Sequence, residues 1–515
     1  MLRAKWRFWD PRHRSSDFRR GMRNGGYSVA DHLLYGILLL IATPIFVSYL
    51  GVERYGIWML SNTFVNVGGV VVYGLTDATI KFVAQYRAAG DQAQLQRVVL
   101  FSLTMYGLLG LGVASLTAVA APFLARHVFH VGAENVELTI HALQIAGIAL
   151  VLRLLESVFQ SVLFGYERYD LAARITMVLN VLSFAINMIL IVMGFGLLWL
   201  LATTTVLLAP AIAWKALVVK RRLLPSLVLA PCFDREVFSR MFGFGIWSWL
   251  QGIGNLFLHQ VDRLLVASLL STSALAYYAV GMQLAQQLHV LSSRAVSFTF
   301  PLASAVQESG DLDRLRRIYY KGSVFTVVVA VGLAAPFFVL AEQILALWMG
   351  SEFAAGSASV FRLQIVFFTA LATTIVPHFF LNGTGLVRLN TLFGLASGIV
   401  VALSGWVLIP LLGVEGAAWA KIANIPVALV SVGILHYRVL GDRRWYSVVG
   451  VLLPVFLPLA IVYALAHVAP LPTTGLPALA LAAAAYCLVG MLSAALVANL
   501  TDNASRWSVA TAELR

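Results

Sequence analysis

Apolar residues run along this chain in blocks of about twenty, parted by short polar or charged turns. A helix of that length crosses a ~30 Å hydrocarbon core. Fourteen blocks read as spans: near 29–49, 55–75, 98–120, 138–163, 172–193, 197–217, 242–270, 274–300, 322–341, 359–382, 389–410, 416–437, 447–468 and 474–497. The fifth and sixth, and the eleventh and twelfth, are joined by turns so short that each pair must form a hairpin. The pattern predicts an all-α integral membrane protein.

Composition agrees. Only 11% of the 515 residues are charged, against about a quarter in soluble proteins, and mean hydropathy is +0.85. The basic, aromatic opening MLRAKWRFWDPRHRSSDFRRGMRNGG lacks the apolar core and small-residue cleavage site of a signal peptide. It suits a tail lying on anionic headgroups. Two cysteines, Cys232 and Cys487, make no disulfide framework.

Charge sets the orientation. With the N-terminus in the cytoplasm, 29 of the 36 Lys and Arg fall on the inner side. Two fall outside (Arg54, Arg126) and five well within spans, with Arg174 and Lys215, two residues from inner span ends, counted on the inner side. That is the positive-inside distribution, so both termini are expected in the cytoplasm.

A faint repeat divides the spans. Gly90, Asp91, Leu95 and Arg97 align with Gly310, Asp311, Leu315 and Arg317; Ala121-Pro122-Phe123 aligns with Ala335-Pro336-Phe337, and Gly165 with Gly383. The matches imply two parallel six-helix halves related by an axis along the membrane normal. The expected organisation is a basic cytoplasmic tail (1–26), an N-terminal six-helix lobe (27–222), a C-terminal six-helix lobe (223–440), two additional spans (441–500) and a cytoplasmic tail (501–515). The lobes would enclose a central cavity.

Polar residues inside the spans indicate what that cavity holds. Gln251, Asn255, His259 and Arg263 recur every four residues, drifting along one side of a single helix, with Asp262 beside them. Span eight adds Gln283, Gln286, Gln287, Arg294 and Ser297. Span two has Asn62, Asn66, Tyr73 and Asp77, span five Asn180 and Asn187, and span four Arg153, Glu156 and Gln160. A charge at the bilayer centre costs roughly 2.5–3.5 kcal/mol, so such faces turn toward protein or water. The plainer reading is that amides merely join helices, that Arg153 and Glu156 pair along their own helix, and that Arg362 and Lys421 snorkel outward. Leaving aside residues within two of an inner span end, five span cations (Arg153, Arg263, Arg294, Arg362, Lys421) stand against two anions, Glu156 and Asp262. The surplus suits an anionic cargo, and arginine suits phosphate oxygens. Arg153 and Arg294 lie in the inner half of their spans and the other three toward the outside, which would pass a phosphate outward.

The stretch LLYGILLLIATPIFVSYLGVERYGIWMLSNTF, with its Leu50, Gly51, Glu53, Tyr55, Gly56 and Trp58, resembles the opening of the polysaccharide-transport flippases. That family belongs to the multidrug/oligosaccharidyl-lipid/polysaccharide exporter superfamily. The likeness continues in GLTDATIKFVAQYRAAGD, QVDRLLVASLLSTSALAYYAVGMQL and IPLLGVEGAAWAKIAN, covering roughly residues 27–440. It implies a lipid-linked oligosaccharide flippase of the bacterial inner membrane. Such a protein moves undecaprenyl-pyrophosphate-linked repeat units, of O-antigen or exopolysaccharide, from the cytoplasmic to the periplasmic leaflet by alternating access. Membrane lipids, a polysaccharide polymerase and other assembly proteins are the partners it implies. The peptidoglycan-precursor branch carries arginines on helices one, two and eight; only Arg294 corresponds here, which argues against lipid II as cargo.

On this reading the cations line the cargo path with Gln251, Asn255, His259, Gln283, Gln287, Asn62 and Asn66. Glu156 and Asp262, with His259 beside them, are candidates for ion coupling, since buried carboxylates and histidines can titrate near neutrality. There is no P-loop and no metal-ligand spacing, so neither cofactor, metal nor nucleic acid is expected. Short outer loops with scattered glutamates argue against a membrane glycosyltransferase. An exporter of small organic anions on the same fold, or a non-transporting scaffold, are the alternatives.

Overall fold

In a computed structural model, residues 14–228, 230–296, 299, 303, 306, 311–441, 452–473 and 475–512 are described, with side chains for residue 30 and from 33 to 500. The start of the basic tail, Ser297, Gly310 and Arg443-Arg444 lie outside the described residues.

Helix dominates the chain, as a bilayer requires: a segment in hydrocarbon must satisfy its own backbone hydrogen bonds. Among the described residues the α-helices are α1 (Arg14–Leu50), α2 (Val52–Gly69), α3 (Tyr73–Ala89), α4 (Gln92–Phe123), α5 (Val136–Gly165), α6 (Tyr169–Val192), α7 (Leu197–Val206), α8 (Leu208–Val218), α9 (Arg235–His259), α10 (Val261–Leu269) and α11 (Thr272–Val296). They continue as α12 (Leu312–Val339), α13 (Ala341–Met349), α14 (Ser351–Leu371), α15 (Ile375–Gly383), α16 (Val387–Leu412), α17 (Val414–Ile422), α18 (Ile425–Arg438), α19 (Leu453–Val468) and α20 (Leu476–Ala512).

Eleven helical stretches among the described residues are long and apolar enough to cross a membrane. This is fewer than the fourteen expected. The expected seventh and eighth spans are helical, but polar side chains and a break at Gln260 leave neither apolar and long enough. The thirteenth is the 16-residue α19.

The chain forms two compact units. One comprises Met1–Tyr49, Gly68–Ala121 and Ile140–Trp249; the other Leu50–Val67, Pro122–Thr139 and Leu250–Arg515. The first unit is built on Phe82, Val83, Leu95, Val99, Phe101, Leu163 and Met241. There α3 and α9 meet backbone to backbone: a Cβ on Gly74 would lie 2.2 Å from the Gly245 carbonyl oxygen.

The second unit has two buried clusters. One gathers Leu315, Tyr319, Val376, Phe380 and Leu435. The other packs Val327, Val331 and Ala335 of α12 against α19 and α20. Gly332 admits Met491 there, and Gly490 admits Ala335. Close approach through small residues is how membrane helices gain packing where lipid is as apolar as leucine. Meanwhile Leu481, Leu488, Leu492 and Leu496 of α20 stay exposed, an apolar face suited to acyl chains.

The repeat is visible in local geometry. Asp91 accepts the Gln94 N–H at 3.0 Å, and Asp311 the Arg314 N–H at 2.9 Å. Each caps a helix whose Leu95 or Leu315 is buried.

Candidate functional site

The polar stripe of the expected seventh span is not on one helix. The chain breaks at Gln260 (φ −127°, ψ −31°), placing Gln251, Asn255 and His259 on α9 and Arg263 on α10. A break strands carbonyls at the end of α9 and N–H groups at the start of α10, each costing several kcal/mol in a bilayer. A lysine from elsewhere covers the first end, and an aspartate of α10's own first turn stands at the second.

Lys421 of α17 is wholly buried and donates to the Leu258 carbonyl at 2.8 Å. Its ammonium also lies 3.2 Å from the Asp262 carboxylate and 5.5 Å from the Phe367 ring. Asp262 sits in the first turn of α10 and takes a second hydrogen bond from the Tyr278 hydroxyl. The cation therefore meets the negative pole of one helix and the anion the positive pole of the next. Gln364 fixes the far side of Tyr278 by donating to its carbonyl at 3.0 Å.

This changes the sequence reading in two respects. Lys421 does not snorkel; it is sealed inside the second unit. Asp262 makes its ion pair with Lys421 rather than with Arg263, its neighbour in sequence. Arg263 and His259 nevertheless lie within electrostatic reach of the pair. The buried Nε of Arg263 has no acceptor among the described residues, and neither does that of Arg362. Gln283 Nε2 and His259 Nδ1 are likewise buried with no partner among the described residues. Unpaired guanidinium donors in a low-dielectric setting are what an oxyanion would satisfy.

The first unit carries a second buried pair. Lys215 of α8, 1% exposed, bonds Glu156 and Gln160 of α5, and reaches Thr176 Oγ1 of α6 at 3.3 Å. The Arg153–Glu156 pair of the plainer reading does not form along α5; Arg153 is exposed, and Glu156 turns across to Lys215. Sequence reasoning passed over Lys215 because it stands near an inner helix end among the loop cations. The signal was there: its immediate neighbours are apolar, and Glu156 and Gln160 share one face of α5 at spacing i, i+4.

The remaining candidates divide. Asn62 bonds the Trp58 carbonyl of its own helix at 3.0 Å. Asn66, Asn255 and Arg294 are exposed, while Gln251 and Gln287 are half-buried. Asp262, Lys421, Arg263 and His259 come together in the second unit, whereas Glu156 and Arg153 belong to the first.

Residues 47–358 match the sequence profile of a family described as polysaccharide biosynthesis protein. A Shigella flexneri protein assigned as an O-antigen transporter is 20% identical over 387 residues, 75% of this chain and 90% of that protein. Among solved structures, the lipid II flippase MurJ in an inward closed conformation superposes with TM-score 0.67 and 13% identity, covering 94% of this chain and 99% of its own. An inward-facing multidrug resistance MATE family transporter of the MOP superfamily gives 0.66 and 18% identity, covering 80% and 95%. At these identities the structural likeness is one of fold.

Proposed function

The chain belongs to the polysaccharide biosynthesis protein family, and from that premise we propose that it is a flippase for polyprenyl-pyrophosphate-linked oligosaccharide repeat units. It carries undecaprenyl-pyrophosphate-linked sugars from the cytoplasmic to the periplasmic leaflet of a bacterial inner membrane by alternating access. The O-antigen assignment of its Shigella flexneri relative supports the cargo class.

One observation carries the anionic part of the reading. Arg263 and Arg362 each bury an Nε donor that has no acceptor among the described residues. A guanidinium fork matches phosphate oxygens, and both arginines lie in the second unit. The two buried lysines are already committed, Lys421 to Asp262 and Lys215 to Glu156. Arg263 and Arg362 are therefore the cations that receive the pyrophosphate, and Arg153 and Arg294, placed in the inner half of their spans by the sequence, extend the same path. Exposed amides such as Asn66 and Asn255 receive sugar hydroxyls. A coupling proton or cation at Asp262 or Glu156 must compete with a lysine already in place. Moving negative charge out of a cell that is negative inside gains about 2.3 kcal/mol per charge per 100 mV, so the membrane potential drives the outward step.

The test is flipping in proteoliposomes. Undecaprenyl-pyrophosphate oligosaccharide is loaded, and its exposure on the far leaflet is followed with and without a pH gradient. Gradient-stimulated exposure lost in both Arg263→Ala and Arg362→Ala, each checked for insertion, is the expected result. No exposure by correctly inserted protein under any gradient would overturn the reading in favour of an anion exporter or a scaffold.

A further inference from the structure

The Leu-Gly-x-Glu-x-Tyr-Gly turn near the start of the chain has no role in the cargo site. Its geometry supplies one. Gly51 turns the chain between α1 and α2 at φ +81°. Glu53 then accepts the Gly132 N–H at 2.7 Å, and Arg54 donates to Asn135 at 3.4 Å. The segment holding Gly132 is itself bound by backbone: His130 N–H donates to the Ala267 carbonyl at 3.2 Å, and Thr272 N–H to the His130 carbonyl at 3.3 Å. Gly56 completes the junction. A Cβ there would stand 1.9 Å from the Thr272 carbonyl oxygen. Three stretches far apart in sequence, 50–67, 122–139 and the turn between α10 and α11, thus meet within the second unit.

The same helical rod, Val52–Ala89, makes a like contact near its other end in the first unit. A Cβ on Gly74 would stand 2.2 Å from the Gly245 carbonyl oxygen, and one on Gly245 would stand 2.5 Å from that of Gly74. Eighteen residues separate Gly56 from Gly74, about 27 Å of helix at 1.5 Å per residue, close to the ~30 Å of a hydrocarbon core. Each contact is backbone against backbone. It is close enough to exclude water, and it holds no ion pair that must be desolvated each time it forms.

We propose that Gly56 and Gly74 are positioning residues of the transport cycle, two latches on one span. Gly56 against Thr272 closes the outer end, and Gly74 against Gly245 closes the inner end. The inference rests on the proposed orientation and on alternating access, and it deepens that reading by naming the contacts that part. A methyl at either glycine meets a carbonyl oxygen that no side-chain rotation can move, so each alanine variant holds its own end open.

The experiment uses full-length protein in sealed, right-side-out vesicles. Cys232→Ser and Cys487→Ser remove the native thiols, and Thr272→Cys, at a position buried in the closed latch, reports outer opening to a membrane-impermeant maleimide. Gly56→Ala is expected to raise the labelling rate at least tenfold, whereas Gly74→Ala leaves it unchanged or lowers it. Gly112→Ala, on α4 where a Cβ meets nothing within 4 Å, changes nothing. Glu53→Gln keeps the shape of the latch while removing its charge, and is expected to raise labelling about threefold should Gly56→Ala fail to insert. Equal labelling with and without these changes would overturn the proposal. So would equal gains from Gly56→Ala and Gly74→Ala, or labelling only from the opposite face. The readout needs no cargo, so a labelling shift in a protein that flips no oligosaccharide would uphold the latches and overturn the cargo reading alone.

Discussion

Replacing Lys421 by methionine tests whether the break between α9 and α10 is held by charge. The substitution keeps volume and removes the ammonium. It strands the Asp262 carboxylate, itself 1% exposed, and frees the Leu258 carbonyl that Lys421 now binds. At 3.2 Å and an effective dielectric of about 20, the lost attraction is about 5 kcal/mol. Removing one member of a buried pair typically costs about 3–5 kcal/mol, and the two figures agree. Asp262→Asn is expected to cost a similar amount for the opposite reason. The double variant Asp262→Asn/Lys421→Met buries no charge, so it should recover at least about 2 kcal/mol of the summed loss. Reversible unfolding by SDS titration in mixed micelles measures all three. Single costs below about 1 kcal/mol, or a double variant whose cost equals the sum, would refute the clasp.

Two further outcomes follow from the packing. Lys215→Met should destabilise the first unit by about 2 kcal/mol, less than at Lys421 because Glu156 is 20% exposed and water screens it; Glu156→Gln should cost less still, and the same titration ranks them. Gly254→Ala drives a Cβ to 2.6 Å from the Gly394 carbonyl carbon where α9 crosses α16; it should cost about 1–3 kcal/mol as overpacking, read as loss of folded protein on heating in detergent.

Most helices were legible because a bilayer imposes one length and one polarity on whatever crosses it. The two repeated loops were legible for another reason: Asp91 and Asp311 cap their helices through the same short-range bond, which sequence spacing records directly. The break at Gln260 was hidden, since no glycine or proline marks it and the apolar run continues on both sides. Its cause is tertiary, a lysine more than 150 residues away that binds a carbonyl the helix has released. Lys215 was misread for a related reason. Position along the chain gives depth, but only packing says whether a cation near a helix end points to water or back to Glu156.

The outer junction also sets an order of synthesis. Gly56 leaves the ribosome more than two hundred residues before Thr272, the residue it abuts. At about 5–20 residues per second this is a wait of roughly 10–40 s. During that time Gly56 and the His130 backbone have no downstream segment to meet. The early helices must hold in the membrane on their own packing until α10 and α11 arrive. A ribosome stall between residues 139 and 267 would leave a nascent product whose first segments are inserted but whose junction cannot close. That half-made chain is the species for membrane quality control to recognise.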